Sequence, residues 1–317
     1  MARKPRGPKA RPLSEQGVGP RQPCPCGSGK RFKSCHGDGQ SDAPFVVRSF
    51  AGLPGECDWV ALREFVQAGT APVRLLPEVF DGSAQCCDVL AVTLLPGIAP
   101  VLRREDGVIW LALQVAQQSG DPSTDLAHAL AFGIAAGPGD EVAMPPLVPA
   151  GTRLQDVVDP AGAFPVTVLD GFDFWFEGVA DVDGTVAATL AQLNETIDPT
   201  ARLTSVEAAY WTATATKEHL RWVLPYDEDA LLTALARLHE SGGDHLGAQS
   251  RLVGSFRAHG LLVPVWDLAP GTGPEALEEP AAAFVQRLGN ALADSSALSA
   301  EGRAARSGLA NRQLTIR

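Results

Sequence analysis

No stretch of this sequence stays apolar for long. The longest apolar run, Val89 to Leu102, is interrupted by Pro96, Gly97 and Pro100, and it falls short of the roughly 20 residues a helix needs to span a bilayer. No membrane-spanning segment is expected. The first residues are basic and proline-rich and lack the apolar core of a secretory signal, so the protein is expected in the cytoplasm. That removes the oxidising setting in which six cysteines would form a disulfide framework. Metal binding or plain burial becomes their default role. A nucleotide-binding P-loop is also missing. Gly27-Ser28-Gly29-Lys30 is followed by Arg31, where Ser or Thr is required, and Cys24 stands where the first glycine should be.

Basic residues are scarce everywhere except at the start. Residues 1–36 hold nine Lys and Arg (Arg3, Lys4, Arg6, Lys9, Arg11, Arg21, Lys30, Arg31 and Lys33) against Glu15 alone, a formal charge of +8 within a chain of net charge -11. The remainder therefore stands at -19, with 17 basic and 36 acidic residues. Such a body repels polyanions, whereas the first segment attracts them. Hydrophobic residues at 45% and charged residues at 20% over 317 residues are a globular composition, long enough for one large body or two lobes.

Residues 1–22 have almost no apolar periodicity and read as a disordered basic arm. A compact cysteine-rich segment at 23–37 follows, and globular patterning begins at Phe45. Asp58 is the expected N-cap of a helix in which Trp59, Leu62, Phe65 and Val66 share a face. Strands are expected between Asp88 and Ala116, with a hairpin turn at Arg104-Glu105-Asp106-Gly107, and then a helix over 125–136. Gly and Pro make up ten of the 29 residues from Gly137 to Pro165, which marks a boundary between lobes. The second lobe opens with alternation at Phe172, Phe174 and Phe176, read as a strand over 172–177. A helix with Val182, Val186, Leu190, Leu193 and Ile197 on one face comes next. Two strands over 209–224, a helix over 227–239, a strand at Leu261–Leu268 and an amphipathic helix over 274–293 complete it. The expectation is an α+β protein of two similar-sized lobes, 45–137 and 164–295, with mainly antiparallel sheets and packed helices, and a C-terminal helix or tail over 296–317. Strand, turn, strand and acid-capped helix recur at 98–136 and 207–240, which raises the question of a duplication.

Zinc takes four soft or borderline ligands in a tetrahedron, and Cys24, Cys26, Cys35 and His36 supply three thiolates and an imidazole. This is a closed, structural donor set. Lys30, Arg31 and Lys33 offset its local negative charge, and Phe32 is the one core residue nearby, so the metal must supply most of the folding free energy. The run Pro23-Cys24-Pro25-Cys26-Gly27-Ser28-Gly29-Lys30-Arg31-Phe32-Lys33-Ser34-Cys35-His36-Gly37 closely resembles the SEC-C motif, the zinc-binding tail of the bacterial preprotein translocase ATPase SecA. In SecA that tail contacts the chaperone SecB and the ribosome, and the same module occurs on unrelated proteins. The resemblance implies a protein or ribosome contact module and no translocase activity. Further on, Gly52-Leu53-Pro54-Gly55-Glu56-Cys57-Asp58-Trp59-Val60-Ala61-Leu62-Arg63-Glu64 resembles an actinobacterial family of unknown function that carries SEC-C.

Other constellations carry a weaker chemical reading beside a structural one. Cys57 precedes a helix N-terminus, where a thiol pKa can fall, but no His is placed to pair with it. Cys86 and Cys87 are neighbours whose side chains diverge in a strand, which favours burial. Asp170, Asp173, Glu177, Asp181 and Asp183 form a cation or general-acid site or, more simply, a solvated face. His239, Glu240, Asp244 and His245 surround Ser241-Gly242-Gly243 at a spacing that matches no zinc pattern. The functional expectation is a zinc-binding contact module on an acidic body. The alternatives are an enzyme with a site between the lobes and weak nucleic-acid binding by the basic arm.

Overall fold

Gly55, left-handed at φ 67, turns the chain into α1 (Glu56–Glu64). The computed structural model describes residues 22, 31, 45–80, 88–116, 119–140, 142, 151–176 and 184–311. Every residue of α1 from Cys57 to Arg63 is buried, and a helix without a wet face belongs between layers. Asp58 is not its N-cap. It sits in the first turn, and its carboxylate is taken up by the second sheet.

The class is α+β, as expected. β1 (Gly69–Val73), β2 (Val89–Val92), β3 (Val101–Arg103), β4 (Ile109–Ala112) and β5 (Thr167–Val168) form a sheet in the order β3-β4-β2-β1-β5. Only β2 and β4 run parallel in it. The turn between β3 and β4 forms at the expected residues, with Gly107 at φ 89 and its N–H bonded to the Arg104 carbonyl. α2 (Pro122–Ala135) starts three residues earlier than its periodicity suggests, because Pro122 takes the first helical position and the Asp121 carboxylate accepts from Ser123 N–H at 3.1 Å. The Gly/Pro-rich stretch then returns to the first sheet in its described part: Leu75 bridges Val158, and β5 pairs with β1. The chain changes sheets only between Val168 and Thr200. Glycine and proline interrupt helix and strand there without preventing burial of Leu154, Val158 and Phe164.

The described part of the expected strand, residues 172–176, is not a strand. Asp173–Phe176 form a 3-10 turn that lays Phe172 against Trp175 at 4.3 Å and Phe174 near Trp110 at 5.4 Å. Alternation would have sent Trp175 to the outer face. Instead it is buried, and its Nε1–H donates to the Leu94 carbonyl at 2.9 Å. α3 (Thr185–Asn194) packs Leu190 and Leu193 beside these rings, with Ile197 just beyond its end. Val182 lies outside the described residues.

β6 (Thr200–Arg202), β7 (Ala209–Ala213), β8 (Glu218–Trp222), β9 (Arg251–Ala258) and β10 (Leu261–Leu268) form the second sheet, order β6-β7-β8-β10-β9, all antiparallel. α4 (Glu228–Glu240), α5 (Glu278–Ala293) and α6 (Ala300–Asn311) cover its outer face. α5 is the expected amphipathic helix: Phe284 and Leu288 are buried, while Val285 is 37% exposed. Along β10, Leu261, Val263 and Val265 join the core shared with α1, while Leu262, Trp266 and Leu268 join the core under α4 and α5. Because successive strand residues alternate faces, β10 is apolar from Leu261 to Trp266 and serves both cores. β9 would fall out of phase, but the register slips where Val265 and Trp266 face Gly254 and Leu252. Val253 is the extra residue of this bulge, and it lets Phe256 reach one core and Leu252 the other.

The recurring unit is real locally. β3-β4-α2 and β7-β8-α4 each end in a helix capped by aspartate, Asp121 and Asp227. It ends there: β4 lies next to parallel β2, and β8 next to antiparallel β10.

Trp266 is fully buried against Trp222 and Phe284, with centroids at 6.2 and 5.3 Å, and bonds the Asp244 carbonyl through its Nε1. Trp266→Ala is expected to lower unfolding free energy by about 3–5 kcal/mol in urea denaturation; a loss below about 1 kcal/mol would contradict this packing.

Candidate functional site

Cys24, Cys26, Cys35 and His36 lie outside the described residues, as do Cys86, Cys87, Glu177, Asp181 and Asp183. Three thiolates and an imidazole suit a tetrahedral Zn2+, so the donor chemistry of the knuckle fits the metal. Among the described residues, no group of three or more His, Cys, Asp and Glu could hold a metal ion.

The candidates within the body do not converge. Cys57 is buried in the first turn of α1. Burial, reinforced by the neighbouring charges of Glu56 and Asp58, pushes its thiol up to about 12, opposite to the effect of a helix N-terminus. Asp170 and Asp173 are exposed around the 3-10 turn, where Asp173 accepts from Asn194. His239 pairs with Asp244 at 2.7 Å, Glu240 turns toward the Ser299 hydroxyl, and His245 meets Arg287 only through its backbone carbonyl.

What the tertiary structure does assemble is a charged junction around α1. Asp58 receives Arg202 in a two-pronged pair, both contacts 3.0 Å, together with the Tyr210 hydroxyl at 2.6 Å. Burial, then the adjacent Asp58, holds the Tyr210 hydroxyl well above its ordinary pKa, so it stays a donor. At the other end of α1, Glu64 meets His259 Nε2 at 2.7 Å. Burial alone would raise the Glu64 carboxyl, but the His259 hydrogen bond and the charges of His259 and Arg63 hold it below the usual range. His259 (φ 45) and Gly260 (φ 78) are the two-residue turn joining β9 to β10, both left-handed as that tight turn demands. A side chain at Gly260 would meet the Val47 carbonyl at 2.8 Å. Toward the first sheet, the buried Arg63 guanidinium donates to the carbonyls of Leu113 and Val115, and Gln114 caps the Leu62 and Val66 carbonyls at 2.8 and 2.6 Å.

Three cross-strand rows lie on the face of the second sheet that looks at α1. Ala208, Val223, Val263 and Phe256 are apolar and join the central core. Arg202, Tyr210, Arg221 and Val265 form the next row. Thr200, Thr212, His219, Asp267 and Arg251 form the third. Sequence reading missed this polar row because its members come from five strands and show no local motif. The one available signal was alternation in β8, where Glu218, Leu220 and Trp222 are buried while His219 and Arg221 face the other way.

Asp58→Asn removes the charge that Arg202 and Tyr210 enclose. It is expected to cost about 2–3 kcal/mol in chemical denaturation, by analogy with broken buried pairs and discounted for the partial exposure of Arg202. An unchanged midpoint would show that the junction contributes nothing. Cys57 is expected to resist a maleimide in the folded protein and to react on unfolding, measured by peptide-resolved mass spectrometry. Its folded pKa lies above the ordinary thiol value, so its stabilising contribution is complete below that value and is lost as pH rises toward about 12.

Two comparisons locate the chain among known proteins. The SEC-C motif matches residues 21–38. The chain is 59% identical over 34 residues to the protein translocase subunit SecA of Rubrobacter xylanophilus, a match covering 11% of this chain and 4% of that protein. The similarity therefore extends to the motif region and leaves almost all of the translocase subunit unmatched. No solved structure matches. The model of a family of unknown function, DUF5926, matches residues 49–317; with both sheets, α1 and the junction between them inside that span, the chain belongs to the DUF5926 family.

Proposed function

We propose that the SEC-C segment binds Zn2+ through Cys24, Cys26, Cys35 and His36 and acts as a contact module, bringing a protein or ribosome partner to an acidic body in the cytoplasm. The observation that carries this reading is the SEC-C match over residues 21–38, which encloses all four donors. Bound zinc would tie two short cysteine-containing ends into one fold; the chain itself supplies the turn residues Gly27 and Gly29 and the compensating Lys30, Arg31 and Lys33. A closed set of four ligands leaves no open position for substrate, so the chemistry favours contact over metal catalysis. The body is consistent with a scaffold: Cys57 is buried, and Asp58 and Glu64 join α1 to the second sheet. The basic arm, +8 over residues 1–36, adds a weak, salt-sensitive attraction to nucleic acid.

Elemental analysis of the purified chain is expected to find about one zinc per chain, lost in Cys24→Ser with Cys26→Ser and on chelation. Affinity purification from the native cell, comparing the intact chain with that double variant, tests the contact role. Partners should disappear with the zinc; an unchanged set of partners sinks the proposal.

A further inference from the structure

Arg221 and Arg202 flank Tyr210 on neighbouring strands of the same face, yet only one of them has an acid. Arg202 is clasped by Asp58. Among the described residues, Arg221 has neither hydrogen bond nor ion pair. Its guanidinium lies 5.7 Å from the centroid of Phe65, and Asp198 acts on it only as a nearby charge. Burial lowers its pKa, the mark of a cation partly stripped of water. An unpaired, half-dry cation is costly, and the body around it is not short of acids, having 36 of them beyond residue 36.

His219, two residues along β8 on the same face, has a buried Nδ1 without a hydrogen-bond partner. Asp267 lies 3.0 Å from that nitrogen, close enough for an ion pair but not aligned for a hydrogen bond. Thr212, opposite His219, is buried, with its hydroxyl 3.3 Å from that of Thr200. Asp267 is shared with Lys217 at 3.4 Å and Arg251 at 3.6 Å. Lys217, Arg221 and Arg251 thus face Asp198 and Asp267, an excess of one positive charge.

We propose that this face of the second sheet, at Arg221, His219 and the Thr200–Thr212 pair, binds an oxyanion group of a small molecule, a phosphate or a carboxylate, with Arg221 as its principal donor. The planar guanidinium offers paired N–H groups that match either anion. Phe65 supplies an apolar wall behind it, and partial burial strengthens each charged contact. None of these residues belongs to the SEC-C segment at 21–38, so neither reading depends on the other.

The test is thermal unfolding of the full chain in sodium phosphate and in sodium citrate, against sodium chloride at equal ionic strength. A saturable rise in Tm with phosphate or citrate is expected, and which of them acts tells the two sources apart. Arg221→Met keeps the apolar stem and is expected to fold, by circular dichroism, without that rise. Lys4→Gln combined with Lys9→Gln and Arg11→Gln should retain it, which separates this face from the basic arm. No rise beyond chloride, a rise that survives in Arg221→Met, or one lost with the arm substitutions overturns the proposal. Should Arg221→Met not fold, His219→Gln is expected to raise the half-saturating phosphate concentration about tenfold, and an unchanged value counts equally against it.

Discussion

A buried helix with four charged side chains, three of which reach the flanking sheets, holds the body together. Asp58 and Glu64 reach the second sheet from the two ends of α1, and Arg63 reaches carbonyls beyond the first sheet. Removing such groups from water is expensive unless each finds a partner. They find them only when both sheets are in place, so the pairs specify how the sheets meet around α1. The apolar residues of α1 supply burial on all sides, but burial has no direction; the two-pronged Asp58–Arg202 pair and the Glu64–His259 contact do.

That junction bears on function. The acids and the thiol nearest the contact between the sheets are the groups a catalytic reading would want, and they are engaged or buried. Asp58 is enclosed by two donors, Glu64 by His259, and the Cys57 thiol is held protonated. The polar groups left over lie farther along the second sheet, where α1 has ended at Glu64 and Phe65 covers Arg221. The body is braced by these internal ion pairs, all of which lie within residues 49–317 and outside the SEC-C match at 21–38.

Much of the fold was legible where the controlling forces are local. The Arg104–Gly107 turn needs a left-handed residue at Gly107, and α4 begins where Asp227 accepts from Ala230 N–H. β10 was readable as a run apolar from Leu261 to Trp266, bounded by Gly260 and the Gly/Pro loop at 270–274. The misses share one cause. Alternation at 172–176 looked like a strand, but the 3-10 turn buries Trp175 beside Phe172 against the outer face of the first sheet. β9 escaped notice because Gly254, Ser255 and the bulge at Val253 break its pattern, and its pairing with β10 restores it. Asp58 read as a cap because its distant partners, Arg202 and Tyr210, are 144 and 152 residues away.

By itself the sequence determined what short segments of chain can decide: the SEC-C motif, the charge contrast between arm and body, the tight turns, and the α+β class. These follow from ligand chemistry, from counting, and from backbone preferences that act over a few residues. Only the tertiary structure decided that α1 is enclosed on every side, that the Cys57 thiol is buried, that the second sheet serves two cores, and that Arg221 has no ion pair among the described residues. Each of those depends on which side chains from distant segments come within a few ångströms, and burial and charge take their energies from that neighbourhood rather than from residue type.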